Sequence, residues 1–151
     1  MSDRKLIVLQ GIPGSGKSFI ARELLKKDKE NKTIIVNRDS IRSMCGKYWM
    51  PERERLITSI EEDMIRQSLH QNYTVIVDAT NLNPKTIKKL EKIAKYKKVE
   101  IEYVSVKVTP IQAFIQILWR SLFGGRFISY KIVKDFYTRY EDIIGVDNEE
   151  H

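Results

Sequence analysis

The chain has 151 residues, a formal net charge of +7, 42% hydrophobic and 31% charged residues. That size and balance fit one soluble globular domain with enough chain for a core that needs no covalent staples. The single cysteine, Cys45, excludes an intrachain disulfide framework, no apolar run approaches membrane-spanning length, and the early apolar run is too short for a secretory leader; a cytoplasmic setting and no membrane partner are expected.

Lys5-Leu6-Ile7-Val8-Leu9 is a short apolar run of the kind found in buried parallel strands. Gly11-Ile12-Pro13-Gly14-Ser15-Gly16-Lys17-Ser18 follows and spells G-x-x-x-x-G-K-S, the phosphate-binding P-loop pattern. Its glycines allow positive φ and close approach of backbone to ligand. Successive N–H groups then face an anion, backed by the positive end of the next helix, expected over 18–27. Lys17 is placed to reach the β/γ-phosphates and the Ser18 hydroxyl to ligate Mg²⁺. The cradle is assigned to Gly11, Ile12, Pro13, Gly14, Ser15, Gly16, Lys17, Ser18 and Phe19.

A polar turn leads to Thr33-Ile34-Ile35-Val36, a β-branched second strand. It ends in Asn37-Arg38-Asp39, with a short helix expected from Ser40, so that Asp39 and Arg42 share a face. Residues 45–50 read as a loop, in which Tyr48 and Trp49 either cover the edge of the core or stack on a base. Pro51 opens a helix whose Leu56, Ile57, Ile60, Met64, Ile65 and Leu69 recur at helical spacing as a core stripe. Thr74-Val75-Ile76-Val77 is the third strand and ends in Asp78-Ala79-Thr80-Asn81.

A helix over 84–98 turns Ile87, Leu90, Ile93 and Ala94 inward and carries a crowd of lysines outward, read as a solvated face or a phosphate patch. The fourth strand is expected over 101–108. Pro110 starts a helix in which Phe114, Ile115, Leu118 and Trp119 are expected to be buried, with Arg120 near its end. Gly124-Gly125 mark a break before Arg126, a last helix follows over 131–140, and 147–151 form a polar tail. Alternating strands and helices imply an α/β domain over 1–146: a mainly parallel sheet with helices on both faces and a small C-terminal lid.

Phosphoryl transfer needs a phosphate cradle, a metal, a base for the acceptor and positive charge on the transferring group. Ligands of open α/β sheets sit at the carboxyl ends of strands, which is where Asp39, Arg42 and Asp78 fall. Asp39 is the candidate general base, with a helix cap as the other reading. Arg42 either grips a phosphate of the acceptor or makes a surface ion pair. Asp78 either supports Mg²⁺ through water or caps the next segment. Arg120 and Arg126 are the two candidates for an arginine closing over the γ-phosphate, with the glycine pair as hinge.

The P-loop, the Val36-Asn37-Arg38-Asp39-Ser40-Ile41-Arg42 stretch and Val77-Asp78-Ala79-Thr80-Asn81-Leu82-Asn83-Pro84 resemble, in this order and spacing, the phage-type polynucleotide 5′-hydroxyl kinases. The resemblance spans nearly the whole chain and implies a P-loop kinase fold. It implies transfer of the ATP γ-phosphate to the 5′-hydroxyl end of RNA or DNA, with ATP and Mg²⁺ required and a nucleic acid as partner. In that reading Lys17 and Ser18 hold phosphates and metal, Asp39 activates the 5′-hydroxyl, Arg42 contacts the acceptor's phosphate, and Arg120 or Arg126 stabilises the phosphate in transfer. The cytoplasm of a cell or of a phage-infected host is the implied location. Two alternatives share the fold: a kinase of a nucleoside, sugar or antibiotic, and a non-catalytic ATP-binding module.

Overall fold

The computed structural model describes residues 4–144; the 147–151 tail lies outside them. Four strands, β1 (Lys5–Gln10), β2 (Thr33–Asn37), β3 (Thr74–Asp78) and β4 (Glu100–Ser105), form one sheet in the order β2-β3-β1-β4, every pair parallel. Between and after them lie α1 (Lys17–Lys27), α2 (Arg38–Ser43), a 3-10 turn (Pro51–Arg53), α3 (Glu54–His70), α4 (Pro84–Lys97), α5 (Pro110–Ser121), α6 (Tyr130–Arg139) and α7 (Glu141–Ile144).

Side chains alternate across a strand, so neighbouring residues serve opposite faces. Leu6, Val8, Val36, Val75 and Val77 pack on one face against Ile57, Ile65 and Leu69 of α3 and Leu90, Ile93 and Ala94 of α4. Leu9 and Ile76, with Ile7 and Ile35, pack on the other against Ala21, Ile20 and Leu24 of α1. Each such fully buried aliphatic side chain contributes about 1.5–3 kcal/mol. A third cluster joins Ile12 and Leu82 to Ala113 and Ile117 of α5, Val133 of α6 and Ile144 of α7. It seats the C-terminal helices on the strand ends, where the site lies.

Asn81 fastens those strand ends together. It is 3% exposed, and its Nδ2 donates to the carbonyls of Leu9, Val77 and Ala79 at 2.7, 3.0 and 3.2 Å. Gln10 Nε2 returns a bond to the Asn81 carbonyl at 3.1 Å, and Gly11 N–H donates to Thr80 O at 3.2 Å. The carboxyl ends of β1 and β3, which carry the P-loop and Asp78, are thereby held side by side.

Three expectations are corrected. Ile115, Leu118 and Trp119 are 59%, 41% and 65% exposed, and Phe114 is only half-buried; Ala113 and Ile117 are the buried residues of α5. The small Ala113 lets the helix backbone come down onto the P-loop, so the buried face is the one centred on 113 and 117. Leu56 is 53% exposed, because the buried face of α3 follows Ile57, Glu61, Ile65 and Leu69 at four-residue steps. β4 ends at Ser105 rather than 108: Thr109 and Gln112 form a capping box that starts α5, and the preceding residues leave the sheet to reach it.

Candidate active site

The P-loop turns through Gly14 (φ 82°) and Gly16 (φ 96°), in the left-handed region that glycine adopts without strain. Gly14 has a second reason to lack a side chain. A Cβ there would lie 2.4 Å from the Ala113 carbonyl oxygen and 2.8 Å from Ile117 Cγ1, so α5 rests directly on the loop. Lys17 is buried, and its Nζ donates to the carbonyls of Gly11 and Ile12 at 3.0 and 2.9 Å and to Ser15 Oγ at 3.4 Å. Burial pushes its pKa down to about 8, against the raising effect of Asp78; Arg120 adds to the lowering. Such an ammonium favours a nearby polyanion.

Ser18 Oγ donates to Asp78 Oδ2 at 2.8 Å, and Asn37 Nδ2 donates to the same oxygen at 2.8 Å. Asn37 also accepts from Ser40 N–H at 2.9 Å and is the N-cap of α2, while Asn83 caps α4. The capping readings of Asp39 and Asp78 are therefore overturned: asparagines hold both cap positions. A hydroxyl beside a buried carboxylate suits Mg²⁺, which takes few protein oxygens and fills its shell with water and phosphate. Among the described residues no group of three or more His, Cys, Asp and Glu forms a self-sufficient metal cage.

Across the cleft, Arg42 is held between two carboxylates. Its Nε donates to Glu54 Oε2 at 3.0 Å, its Nη2 to Glu54 Oε1, and its Nη1 to Asp39 Oδ1 at 2.8 Å. The bond from Arg42 holds the Glu54 carboxyl below its ordinary value, and Glu54 raises the arginine in turn. Arg38 donates to Thr58 Oγ1 at 2.8 Å and pairs with Glu54 at 3.5 Å and with Glu61 at 3.6 Å. Burial pushes the Glu61 carboxyl up. Arg42 is thus neither free nor a loose surface pair; it is clamped, 14% exposed, with its outer edge on Asp39.

Trp49 lines the cleft, 51% exposed, and both aromatic rings of the loop carry guanidinium groups. The Arg42 guanidinium lies 5.5 Å from the Trp49 ring and 5.7 Å from the Tyr48 ring, and Arg126 lies 4.4 Å over Tyr48. Trp49, Arg42, Tyr48 and Arg126 thus alternate ring and guanidinium in a cation–π ladder. Arg53 supports the loop beneath through bonds to the carbonyls of Cys45 and Lys47.

Pro13, Gly14, Ser15, Gly16, Lys17, Ser18, Asp39, Arg42, Asp78, Arg120 and Arg126 all line one cleft of about 840 Å³. Gly11 and Ile12 lie behind it, where their carbonyls hold Lys17. Phe19 does not line it; that side chain is 61% exposed. Sequence reasoning missed Glu54 and Asn81. Glu54 carried only the signal of an acidic residue near a helix start, and Asn81 only its place in the Asp78-Ala79-Thr80-Asn81 run.

Comparison with known proteins bears on the fold and the loop. The model of the AAA domain family matches residues 6–118, well over half of the 151-residue chain. An L-seryl-tRNA(Sec) kinase of Methanococcus maripaludis is 28% identical over 139 residues, which cover 90% of this chain and 52% of that protein; the chain spans about half the length of this curated relative. A chain of the Pnkp1/Rnl/Hen1 RNA repair complex superposes with a TM-score of 0.83 at 23% identity, over 99% of this chain and 51% of that one. A gluconokinase from Sinorhizobium meliloti superposes with a TM-score of 0.60 at 15% identity, over 99% of this chain and 80% of that one. The two superpositions speak for the fold: an α/β chain with a parallel sheet flanked by helices, like that of P-loop kinases.

Proposed function

The chain belongs to the AAA domain family, and on that premise we propose that it is an ATP-dependent kinase that phosphorylates the 5′-hydroxyl end of an RNA or DNA strand. The carrying observation is the single cleft in which the P-loop lysine and the Ser18–Asp78 pair stand opposite the Asp39–Arg42 pair. A cradle for a triphosphate thus shares one space with a carboxylate and an anchored arginine.

In this reading the backbone N–H groups of 14–18 and the ammonium of Lys17 bind the donor phosphates. Mg²⁺, held by Ser18 and supported by Asp78, supplies charge neutralisation when bound. Asp39 takes the proton of the acceptor hydroxyl as its oxygen bonds to the γ-phosphorus and the bridging bond to the leaving ADP breaks. Arg42, pinned by Glu54, orients an acceptor phosphate. Arg120, whose charge is felt at Lys17, offsets charge on the phosphate in transfer. The net charge of +7 and the exposed lysines of α4 favour a polyanionic acceptor, and a tRNA kinase and a chain of an RNA repair complex stand among the proteins it is similar to.

The test is transfer from γ-labelled ATP to matched RNA and DNA strands with 5′-hydroxyl or 5′-phosphate ends, beside seryl-tRNA, nucleosides, sugars including gluconate, and aminoglycosides. Label on 5′-hydroxyl ends alone is expected, and Asp39→Asn is expected to abolish transfer while ATP still binds. Label only on a small molecule or on the aminoacyl group would overturn the acceptor. ATP binding with no transfer to any acceptor would make the chain a non-catalytic module.

A further inference from the structure

The link between Arg126 and Asp39 is not used by the mechanism above. Arg126 Nη1 donates to the Tyr48 hydroxyl at 2.6 Å, across 78 residues of sequence, and its guanidinium carbon lies 4.4 Å over the Tyr48 ring. The Tyr48 hydroxyl in turn donates to Asp39 Oδ1. These directions are fixed by chemistry: a guanidinium only donates, a carboxylate only accepts, and a phenol does both. Arg42 Nη1 donates to the same Oδ1 at 2.8 Å. Both side-chain bonds that reach Asp39 among the described residues therefore end on one oxygen.

Arg126 follows directly on Gly124 (φ 83°) and on Gly125, whose N–H donates to the Arg120 carbonyl at 2.9 Å. The segment between α5 and α6 thus turns sharply off the helix end and reaches the opposite wall through one guanidinium. Arg120 and Arg126 both line the cleft; Arg120's charge lowers the Lys17 pKa, while Arg126 bonds to Tyr48.

We propose that Tyr48 is a positioning residue for phosphate transfer: its hydroxyl ties residues 121–129 to Asp39 through Arg126 and, with Arg42, occupies Oδ1, leaving Oδ2 as the oxygen that receives the acceptor's proton. The proposal rests on the reading of Asp39 as general base. It places Arg126 on the acceptor wall, as part of a clasp that closes only when the segment between α5 and α6 lies over the cleft.

Tyr48→Phe is the decisive variant, because it keeps the ring under both guanidinium groups and removes only the hydroxyl. Steady-state transfer to a 5′-hydroxyl strand and amide hydrogen exchange of residues 121–129 are measured in Tyr48→Phe, Arg126→Gln and the double variant. The expected result is a kcat loss of about tenfold or more in Tyr48→Phe, the size of one hydrogen bond to a charged group, with the KM for ATP changed less than twofold. Exchange over 121–129 rises in both single variants, and the double variant is no worse than the poorer single one. A kcat within twofold of the parent, unchanged exchange, or single-variant losses that multiply would each overturn the proposal. Asp39→Asn separates the two layers. If it retains transfer, the base reading and Tyr48's part in transfer both fall; faster exchange in Tyr48→Phe would then support the tether by itself.

Discussion

Replacing Gly14 by alanine tests whether α5 stands on the P-loop. At φ 82° an L residue sits in the left-handed region, at a cost of about 1–2 kcal/mol. The added Cβ would also lie 2.4 Å from the Ala113 carbonyl oxygen and 2.8 Å from Ile117 Cγ1. The nearer obstacle is backbone, so α5 itself must shift, and overpacking of that kind costs about 1–3 kcal/mol more. Gly16 is the internal control: its φ is 96°, but the nearest atom to a Cβ there is Gln116 Oε1 at 3.9 Å, so Gly16→Ala carries only the left-handed cost of about 1–2 kcal/mol. Gly14→Ala is therefore expected to lose about 2–5 kcal/mol in total, a drop in Tm of about 5–20 °C for a chain of this size. Urea unfolding followed by far-ultraviolet circular dichroism measures both variants. Equal losses in the two would refute the placement of α5 on the loop.

The same helix gives a second contrast: Ile117→Ala, at a site 1% exposed, is expected to cost about 2–5 kcal/mol, while Trp119→Ala, at a site 65% exposed, stays within about 0.5 kcal/mol, both read from urea midpoints. With the free-state pKa of Lys17 at about 8 and phosphate favouring the charged amine, ATP binding takes up a proton as pH rises through that value; the Kd for ATP, followed by calorimetry in buffers of different ionisation enthalpy, is expected to be flat below pH 8 and to weaken above it. Glu54→Gln removes the clamp on Arg42 and is expected to cost about 1.5–3 kcal/mol at neutral pH and to raise the acceptor's KM more than that of ATP. Because Arg42 holds the folded-state pKa of Glu54 below its ordinary 4.5, that contribution is present above 4.5 and is lost as pH falls through the folded-state value, so the variant shows a shallower acid limb of stability than the parent.

The inner strands were legible because a parallel sheet buries both of their faces, and they are written as continuous apolar runs such as Lys5–Gln10 and Thr74–Asp78. The P-loop pattern marked Ser18 and strand ends marked Asp39, Arg42 and Asp78, and the cleft brings the four together. The burial of α5 was not legible. Its apolar residues occupy two faces, and the choice between them is made by Gly14, a residue far off in sequence that lacks a side chain to keep the helix away. The partners of Arg42 were hidden for a related reason. Glu54 reaches it across 12 residues and a loop whose path no local pattern encodes. The bond from Arg126 to Tyr48 was hidden likewise, since it comes from 78 residues away.

The position of β1 bears on how the chain is made. It lies between β3 and β4, with Leu6 opposite Val75 and Lys5 opposite Glu100, so the earliest-made strand of this sheet is the one whose neighbours are made last. At roughly 5–20 residues per second, its apolar residues wait on the order of 5–20 s before Ser105 completes the sheet. Only α1, through Ala21, Ile20 and Leu24, is at hand to cover one of its faces during that interval, because parallel pairing requires distant segments to meet. The P-loop turn hangs from β1 and is braced by Asn81 and α5. It therefore takes shape among the last parts of the molecule, and on the proposed reading a nucleotide would reward folding once the sheet is closed rather than template it.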